Sequence, residues 1–165
     1  FATWAGSLLD GTHPIVIIAE PGREQEAATR LGRVGFDNVA GYLDGGMSAL
    51  GSRSDLISRT QRVTAASLAE QLASAAPPLI LDVRGAKEWE AARISGSLNI
   101  PLTHLEEQIT QVPRGRRIAV HCASGYRSAI AASLLARHGI TDVEDLVGGI
   151  AAWEAARNQT VVHPG

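Results

Sequence analysis

The sequence predicts an α/β fold in which a parallel sheet is covered by helices on both faces. Short segments that are apolar along most of their length, such as residues 79–83 and 118–121, are typical of strands buried on both faces. Between them lie longer segments whose apolar residues recur at helical spacing, for example residues 126–137. Strands that alternate with helices indicate parallel pairing through helical crossovers.

The elements of the second part of the chain follow from apolar period and from capping and breaking residues. The polar residues 53–62 are predicted to be a linker. Thr64 is the predicted N-cap of a helix that ends before Pro77 and Pro78. The predicted strands of this part are residues 79–83, 97–100, 118–121 and 142–146. The predicted helices that follow the first one are residues 86–92, 103–111, 126–137 and 150–157.

Residues 14–50 repeat the pattern of residues 117–153. In both copies an apolar strand precedes a helix with one apolar face, and a pair of glycines follows, at residues 45–46 in the first copy and 148–149 in the second. The repeat indicates that two related units follow each other in the chain.

The first copy, residues 1–52, lacks a thiol. Ile18 or Ala19 stands where the second copy has Cys122, and Glu20 follows. A carboxylate at this place would repel a thiolate or an anionic substrate. We therefore expect the first copy to be catalytically inactive.

The first copy is also predicted to be a partial domain, its C-terminal half. Residues 1–10 supply only one helix, and half of a parallel domain leaves strand edges and apolar helix faces uncovered. The missing half lies upstream in a longer protein, comes from another chain, as in a dimer, or is replaced by packing on the second domain. Phe1 in place of Met favours an excised piece of a longer protein.

Composition excludes several classes of protein. The 165 residues carry a net charge of −2, which favours neither a nucleic-acid partner nor an anionic membrane. No apolar run approaches the length of a membrane span. The single cysteine rules out an intramolecular disulfide and fits a reducing, cytoplasmic setting. No cofactor and no metal site are predicted, because the histidines show no paired ligand spacing; they are His13, His104, His121, His138 and His163.

Cys122 stands between a predicted strand and a predicted helix, a position that favours a reactive thiolate. Amides of a tight loop and the positive end of the following helix stabilise an anion at the loop centre. They lower the thiol pKa, and the thiolate is the nucleophile. Gly125 permits the turn and Arg127 adds a positive charge. A small buried hydrophobe is the alternative interpretation of a lone cysteine.

Several short motifs follow each other in the order found in rhodanese-like sulfurtransferases, and the sequence therefore resembles that family. Cys122 and Arg127 are separated by four residues, as in the active-site loop of that family. The run at residues 82–84, Asp-Val-Arg, resembles the family's strand end, and residues 148–153 resemble its closing Gly-Gly-x-x-x-Trp signature. The resemblance implies a rhodanese-like fold and a complete domain over residues 63–160.

The resemblance also implies a reaction and a set of site residues. Cys122 would take a sulfane sulfur from thiosulfate or a persulfide and pass it to a thiol or another thiophilic acceptor. Asp82 and Arg84 are expected to support the site, more as a structural ion pair than as catalytic groups. The predicted persulfide-binding loop consists of Ala123, Ser124, Gly125, Tyr126, Arg127 and Ser128.

Two alternatives stay open. Related phosphatases and arsenate reductases carry one residue more between Cys and Arg, and the shorter loop favours sulfur transfer. An inactive copy followed by an active one also resembles the C-terminal part of metallo-β-lactamase-fold proteins fused to tandem rhodanese domains. That resemblance implies an upstream metallo-β-lactamase-like domain, and it allows a noncatalytic binding or regulatory module in a persulfide-metabolising enzyme.

Overall fold

The computed structural model describes residues 1–162, and the chain forms two compact units that divide between Arg59 and Thr60. Within these residues no helix combines the length and the apolar composition needed to cross a bilayer.

The first unit is a small α/β layer. Its helices and strands are α1 (Ala2–Leu8), β1 (Ile15–Ile17), α2 (Glu24–Gly32) and β2 (Val39–Tyr42), followed by 3-10 turns at Gly46–Leu50 and Ser54–Leu56. Strands β1 and β2 pair in parallel. One apolar cluster, built on Ile17, Leu31 and Phe36, fills the space between the strands and the helices.

Along β1 and just after it, the apolar side chains that point away from this cluster are exposed. Val16 is 63% exposed and Ile18 is 51% exposed. Side chains on successive strand residues point to opposite faces, so the second face of this two-stranded sheet is left uncovered within the unit.

The second unit contains a five-stranded parallel sheet. Its elements are β3 (Gln61–Val63), α3 (Ala65–Leu72), β4 (Leu79–Asp82), α4 (Ala86–Ala91), β5 (Leu98–Asn99), β6 (Ile118–His121), α5 (Tyr126–Arg137), β7 (Val143–Leu146) and α6 (Gly149–Ala155), with 3-10 turns at Leu102–His104 and Ile109–Gln111. The strand order is β3-β7-β6-β4-β5. The predicted fold class is confirmed, since all pairings are parallel and helices cover both faces.

The core of the second unit is built from the apolar strands. Leu68 of α3 and Trp153 of α6 pack on the face of the sheet that presents Ile80, Ala119 and Leu146. Helix α3 begins as predicted, because the Thr64 side chain accepts a hydrogen bond from the Ser67 amide. All of β6 and the last three residues of β4 are buried, which sets the carboxyl ends of both strands firmly in place.

Two segments differ from the sequence prediction. The predicted helix at residues 103–111 is replaced by two 3-10 turns, although Leu105 and Ile109 stand at the spacing of four that is typical of an α-helix. The predicted linker, residues 53–62, is shorter in the structure, because its last two residues belong to β3. This strand lies at a sheet edge with Gln61 and Arg62 exposed, so its residues resemble a polar loop.

Candidate active site

Cys122 directly follows the buried strand β6, as predicted. The loop after it turns through Gly125, whose φ of +106° lies in the left-handed region that glycine adopts without strain. Helix α5 then begins at Tyr126. This arrangement places the thiol at the carboxyl end of the sheet and at the start of a helix of 12 residues.

The sulfur lies inside a ring of donors. The Gly125 amide donates to Cys122 Sγ at 3.2 Å, and Ser128 Oγ lies 3.6 Å from Sγ. Burial raises the pKa of the Cys122 thiol, but hydrogen bonds from the amide and hydroxyl of Ser128 and from the amides of Gly125 and Ser124 outweigh it. The net effect is a pKa below the ordinary value of a thiol, so the loop favours the thiolate.

The glycine pair after β7 supports this loop from the other side. The Ile150 amide donates to the Cys122 carbonyl at 2.9 Å, and the Ala151 amide donates to the Ala123 carbonyl at 3.2 Å. A Cβ on Gly149 would overlap the Cys122 carbonyl oxygen and the Ala123 main chain. Gly149, at φ +60°, therefore permits a close approach that no other residue would allow.

Arg127 is held by a carboxylate from another helix. Its Nη1 and Nη2 donate to Oε2 and Oε1 of Glu88 at 2.7 and 2.8 Å. The hydrogen bonds from Arg127 lower the pKa of Glu88 to about 2, and the same pair raises the pKa of Arg127. The Cys122 thiolate adds a smaller contribution to the raised pKa of Arg127, after the larger one from Glu88.

Asp82 and Arg84 form a buried pair at the end of β4. Arg84 Nη2 donates to Asp82 Oδ2 at 2.6 Å and to the Ala92 carbonyl at 2.6 Å. Asn99 Nδ2 donates to the carbonyls of Asp82 and Arg84, both at 2.9 Å. These partners anchor the segment after β4, which agrees with a structural function for the pair.

His121 belongs to the same buried group. Its Nε2 lies 3.4 Å from Asp82 Oδ2, and its Nδ1 lies 3.3 Å from the Cys122 carbonyl oxygen. Burial lowers the pKa of His121 despite the nearby carboxylate, so the ring is neutral near pH 7. It is a packed histidine rather than a base aimed at the thiol.

The remaining loop residues differ in exposure. Tyr126 is 51% exposed and Ser124 is exposed, whereas Ser128 is fully buried. Glu88 was not predicted as a site residue, because its contact with Arg127, 39 residues away, has no signal in local spacing. Asp145, a buried acid on β7, was not predicted either, because an acidic pair in a strand resembles an exposed edge.

Among residues 1–162 no group of three or more His, Cys, Asp or Glu side chains is arranged to hold a metal ion. His163, one of the histidines considered in the sequence, lies outside the described residues.

Comparison with known proteins identifies the second unit. The family model for the rhodanese-like domain matches residues 64–156. "Adenylyltransferase and sulfurtransferase MOCS3-1" of Zea mays is 39% identical over 84 residues, which cover 47% of this chain and 18% of that protein. A protein named "Sulfurtransferase" from Allochromatium vinosum is 32% identical over 87 residues, which cover 53% of this chain and 81% of that protein.

Solved structures agree with these relatives. The rhodanese-related protein of Thermoplasma volcanium superposes with a TM-score of 0.58 and 33% identity, over 62% of this chain and 99% of that one. The present chain spans less than a fifth of the length of the maize relative. The match alone therefore does not assign the activities of the longer relatives to this chain.

Proposed function

The chain belongs to the rhodanese-like domain family, and on that premise we propose that its second unit is a sulfurtransferase that carries a sulfane sulfur on Cys122. The observation that carries the proposal is the convergence of the Gly125, Ser124 and Ser128 donors on the chain's one thiol. Relatives that match this unit are named sulfurtransferases.

The first half-reaction is a displacement at sulfur. The Cys122 thiolate attacks the outer sulfur of thiosulfate, and a bond forms between that sulfur and Sγ. The bond to the inner sulfur breaks and its electron pair leaves with sulfite. Cys122 is left as a persulfide anion, which the loop amides stabilise as they stabilise the thiolate.

The second half-reaction returns the enzyme to its starting state. A nucleophilic acceptor, such as cyanide, glutathione or a protein thiol, attacks the outer sulfur of the persulfide. The new bond takes the sulfur away, and Sγ leaves as the thiolate. No external oxidant or reductant is needed, because the sulfane sulfur only changes its partner.

Burial of the thiol limits the shape of the donor. Cys122 is 1% exposed, so the reacting sulfur must be a narrow terminal atom. Thiosulfate and persulfides both present such an atom, and both are proposed as donors. Arg127 lies where it can interact with an anionic donor, although Glu88 already binds both ends of its guanidinium.

Steady-state kinetics with thiosulfate and cyanide test this proposal. The wild-type chain is expected to produce thiocyanate, and Cys122→Ser is expected to produce none above background. Ser133→Ala, an exposed change on the same helix α5, is the matched control and should retain full turnover. Turnover that survives in Cys122→Ser would contradict the proposal, and a folded wild type without turnover would favour a binding module. Turnover of a phosphate ester would revive the phosphatase alternative.

We also propose that the first unit is an inactive partial copy of the second. In both units parallel strands flank a helix and lead into a glycine pair with positive φ, at 75° and 56° for Gly45 and Gly46. A Cβ on Gly46 would overlap the Ala19 carbonyl oxygen, just as one on Gly149 would overlap that of Cys122. Ala19 therefore corresponds to Cys122, and it offers no nucleophile.

The fusion with an upstream metallo-β-lactamase-like domain rests on the sequence resemblance alone and is proposed as the context of both units. The metal content of the natural full-length protein tests it. Stoichiometric metal bound outside residues 1–165 is the expected result, and a full-length protein without bound metal would contradict it.

A further inference from the structure

Arg127 and Glu88 form an ion pair at the edge of the sheet that also carries Cys122. Strands β4 and β6 are parallel neighbours, and the Val83 amide donates to the His121 carbonyl oxygen at 3.0 Å. The segments that follow the two strands therefore begin side by side. Glu88 belongs to the first of these segments and Arg127 to the second, so their pair bridges the segments at the carboxyl edge of the sheet.

The pair is near the thiol and is partly open to solvent. Arg127 directly precedes Ser128, whose hydroxyl lies 3.6 Å from Cys122 Sγ. The side chain of Arg127 is 19% exposed and that of Glu88 is 43% exposed. A charge acts on an approaching ion over about a Debye length, roughly 10 Å at 0.1 M ionic strength. The two charges can therefore act on an anion that approaches the sulfur without touching the sulfur themselves.

The carboxylate of Glu88 cancels the charge of the guanidinium. Nη1 and Nη2 of Arg127 both donate to it, at 2.7 and 2.8 Å. These hydrogen bonds lower the pKa of Glu88 to about 2, so the carboxylate is ionised at neutral pH. The Gly85 amide holds Glu88 Oε2 in place at 3.1 Å. An approaching anion thus meets a pair of zero net charge instead of a free cation.

Other cations of the segment after β4 do not take the place of Arg127. Arg84 is 5% exposed, and its Nη2 donates to a buried carboxylate at 2.6 Å. Lys87 is exposed and precedes Glu88 in α4. Side chains of successive helix residues point about 100° apart, so Lys87 is not on the side of α4 that meets Arg127. Because both arginines are paired with a carboxylate, the Cys122 thiolate makes the group negative overall.

We propose that Glu88 sets the charge selectivity of the sulfur donor, because by neutralising Arg127 it favours donors with at most one negative charge, such as persulfides and thiosulfonates, over the thiosulfate dianion. The displacement is the same for each donor. Cys122 Sγ bonds to the outer sulfur, and the bond between the two sulfurs of the donor breaks. Its electron pair leaves with a thiolate, a sulfinate or sulfite. Thiosulfate still reacts, but its second charge gains nothing from Arg127.

Two alkylating reagents of similar size measure this charge effect without a sulfur donor. Iodoacetate is an anion and iodoacetamide is neutral, and both alkylate Cys122, the one cysteine of the chain. Both react with the thiolate. The ratio of their rate constants, iodoacetate over iodoacetamide, is therefore independent of the thiol pKa and reports the charge that an anion meets near the sulfur.

Three variants and one control test the two charges. Glu88→Gln is expected to raise the ratio about fivefold at low ionic strength, because it leaves Arg127 unpaired. Arg127→Gln leaves Glu88 unpaired and should lower the ratio by about the same factor. The double variant should return to the wild-type ratio. Glu90→Gln removes an exposed carboxylate of the same helix and should keep the wild-type ratio. The differences should shrink at about 1 M salt, where the Debye length is about 3 Å.

A ratio in Glu88→Gln that does not exceed that in Glu90→Gln would overturn the inference. A change of the same sign in Glu88→Gln and Arg127→Gln would also overturn it, because a general disturbance of the loop produces that result.

Should the variants fail to fold, as circular dichroism would show, the wild type alone decides. Its ratio should rise with ionic strength, because the uncompensated thiolate repels iodoacetate. A ratio that stays constant or falls with ionic strength would show an unpaired cation near Cys122 and overturn the inference. A folded wild type that neither reagent alkylates would overturn it as well, since no anion would then reach the sulfur.

Kinetics with two donors connect the charge effect with sulfur transfer. Thiosulfate is a dianion, and methanethiosulfonate is a monoanion in which a methyl group replaces one charged oxygen. Glu88→Gln should raise kcat/KM for thiosulfate about fivefold more than kcat/KM for methanethiosulfonate, through a lower KM at unchanged kcat. An equal change for both donors, or a change in kcat alone, would overturn the inference.

This inference rests on the proposed function, because it concerns the donor of the same reaction. Alkylation needs no sulfur donor, so the two can fail separately. The predicted alkylation ratios without turnover of either donor would contradict only the proposed reaction. Turnover with alkylation ratios that do not respond to Glu88→Gln would contradict only the inference.

Discussion

The guanidinium of Arg127 and the carboxylate of Glu88 meet in a two-pronged ion pair with N–O distances of 2.7 and 2.8 Å. The pair joins the first turn of α5 to α4 across 39 residues of sequence. Glu88 Oε2 also accepts the Gly85 amide at 3.1 Å, which fixes the carboxylate at the start of its own helix. A residue outside the loop thus holds the end of the loop that surrounds Cys122.

Glu88→Gln is predicted to lower the free energy of unfolding by about 1 kcal/mol at pH 7, because the pair is partly exposed and screened by water. The folded-state pKa of Glu88, about 2, lies below its ordinary value of 4.5. The contribution is therefore present above about pH 4.5 and lost as the pH falls towards 2. Urea unfolding of both proteins across this range measures the difference.

Glu90→Gln is the control for Glu88→Gln, because Glu90 is exposed on the same helix. Its stability should follow that of the wild type at every pH. A difference between wild type and Glu88→Gln that persists unchanged at pH 2 would contradict the assignment of the ion pair as its source.

Asp82→Asn is predicted to destabilise the second unit by about 3 kcal/mol, because it leaves the buried Arg84 without its countercharge. Arg137→Gln breaks an exposed pair with Glu106 in the same unit and should cost less than about 1 kcal/mol. Urea denaturation followed by tryptophan fluorescence compares the two. Equal losses would show that burial of the Asp82–Arg84 pair does not matter.

Gly149→Ala is predicted to cost at least about 2 kcal/mol, since a Cβ there would push the Cys122 and Ala123 main chain out of place. Displacement of the loop should also change the rate at which Cys122 is alkylated. Gly115→Ala has a similar positive φ of +73° but meets no atom within 4 Å, so only the backbone strain of about 1 kcal/mol remains. If thermal melting shows the same loss of stability for both variants, contact with the loop is not the reason that Gly149 is required.

Local pattern predicted the parts of the fold that lie close together in sequence. Strand β6 and helix α5 have the predicted bounds, because a fully buried strand gives a short continuous apolar run and a helix with one buried face gives apolar residues at helical spacing. Residues 103–111 were predicted as a helix because Leu105 and Ile109 are four residues apart, a spacing that local pattern alone assigns to an α-helix.

Contacts between distant residues were not predictable in the same way. The partners Glu88 and Arg127 are far apart in the chain, and each looks like an ordinary exposed charge. Strand β7 contains Glu144 and Asp145, which local sequence places at a surface, yet the neighbouring helices and strands bury both. The tandem arrangement and the residue assignments in the loop stay predictions for experiment.

Mass spectrometry of the intact protein after brief treatment with thiosulfate tests the central claim most directly. The account predicts a gain of one sulfur atom per chain, located on Cys122 by peptide mapping, absent in Cys122→Ser and removed by cyanide with release of thiocyanate. A wild-type chain that stays folded and gains no sulfur from thiosulfate or from glutathione persulfide would contradict it.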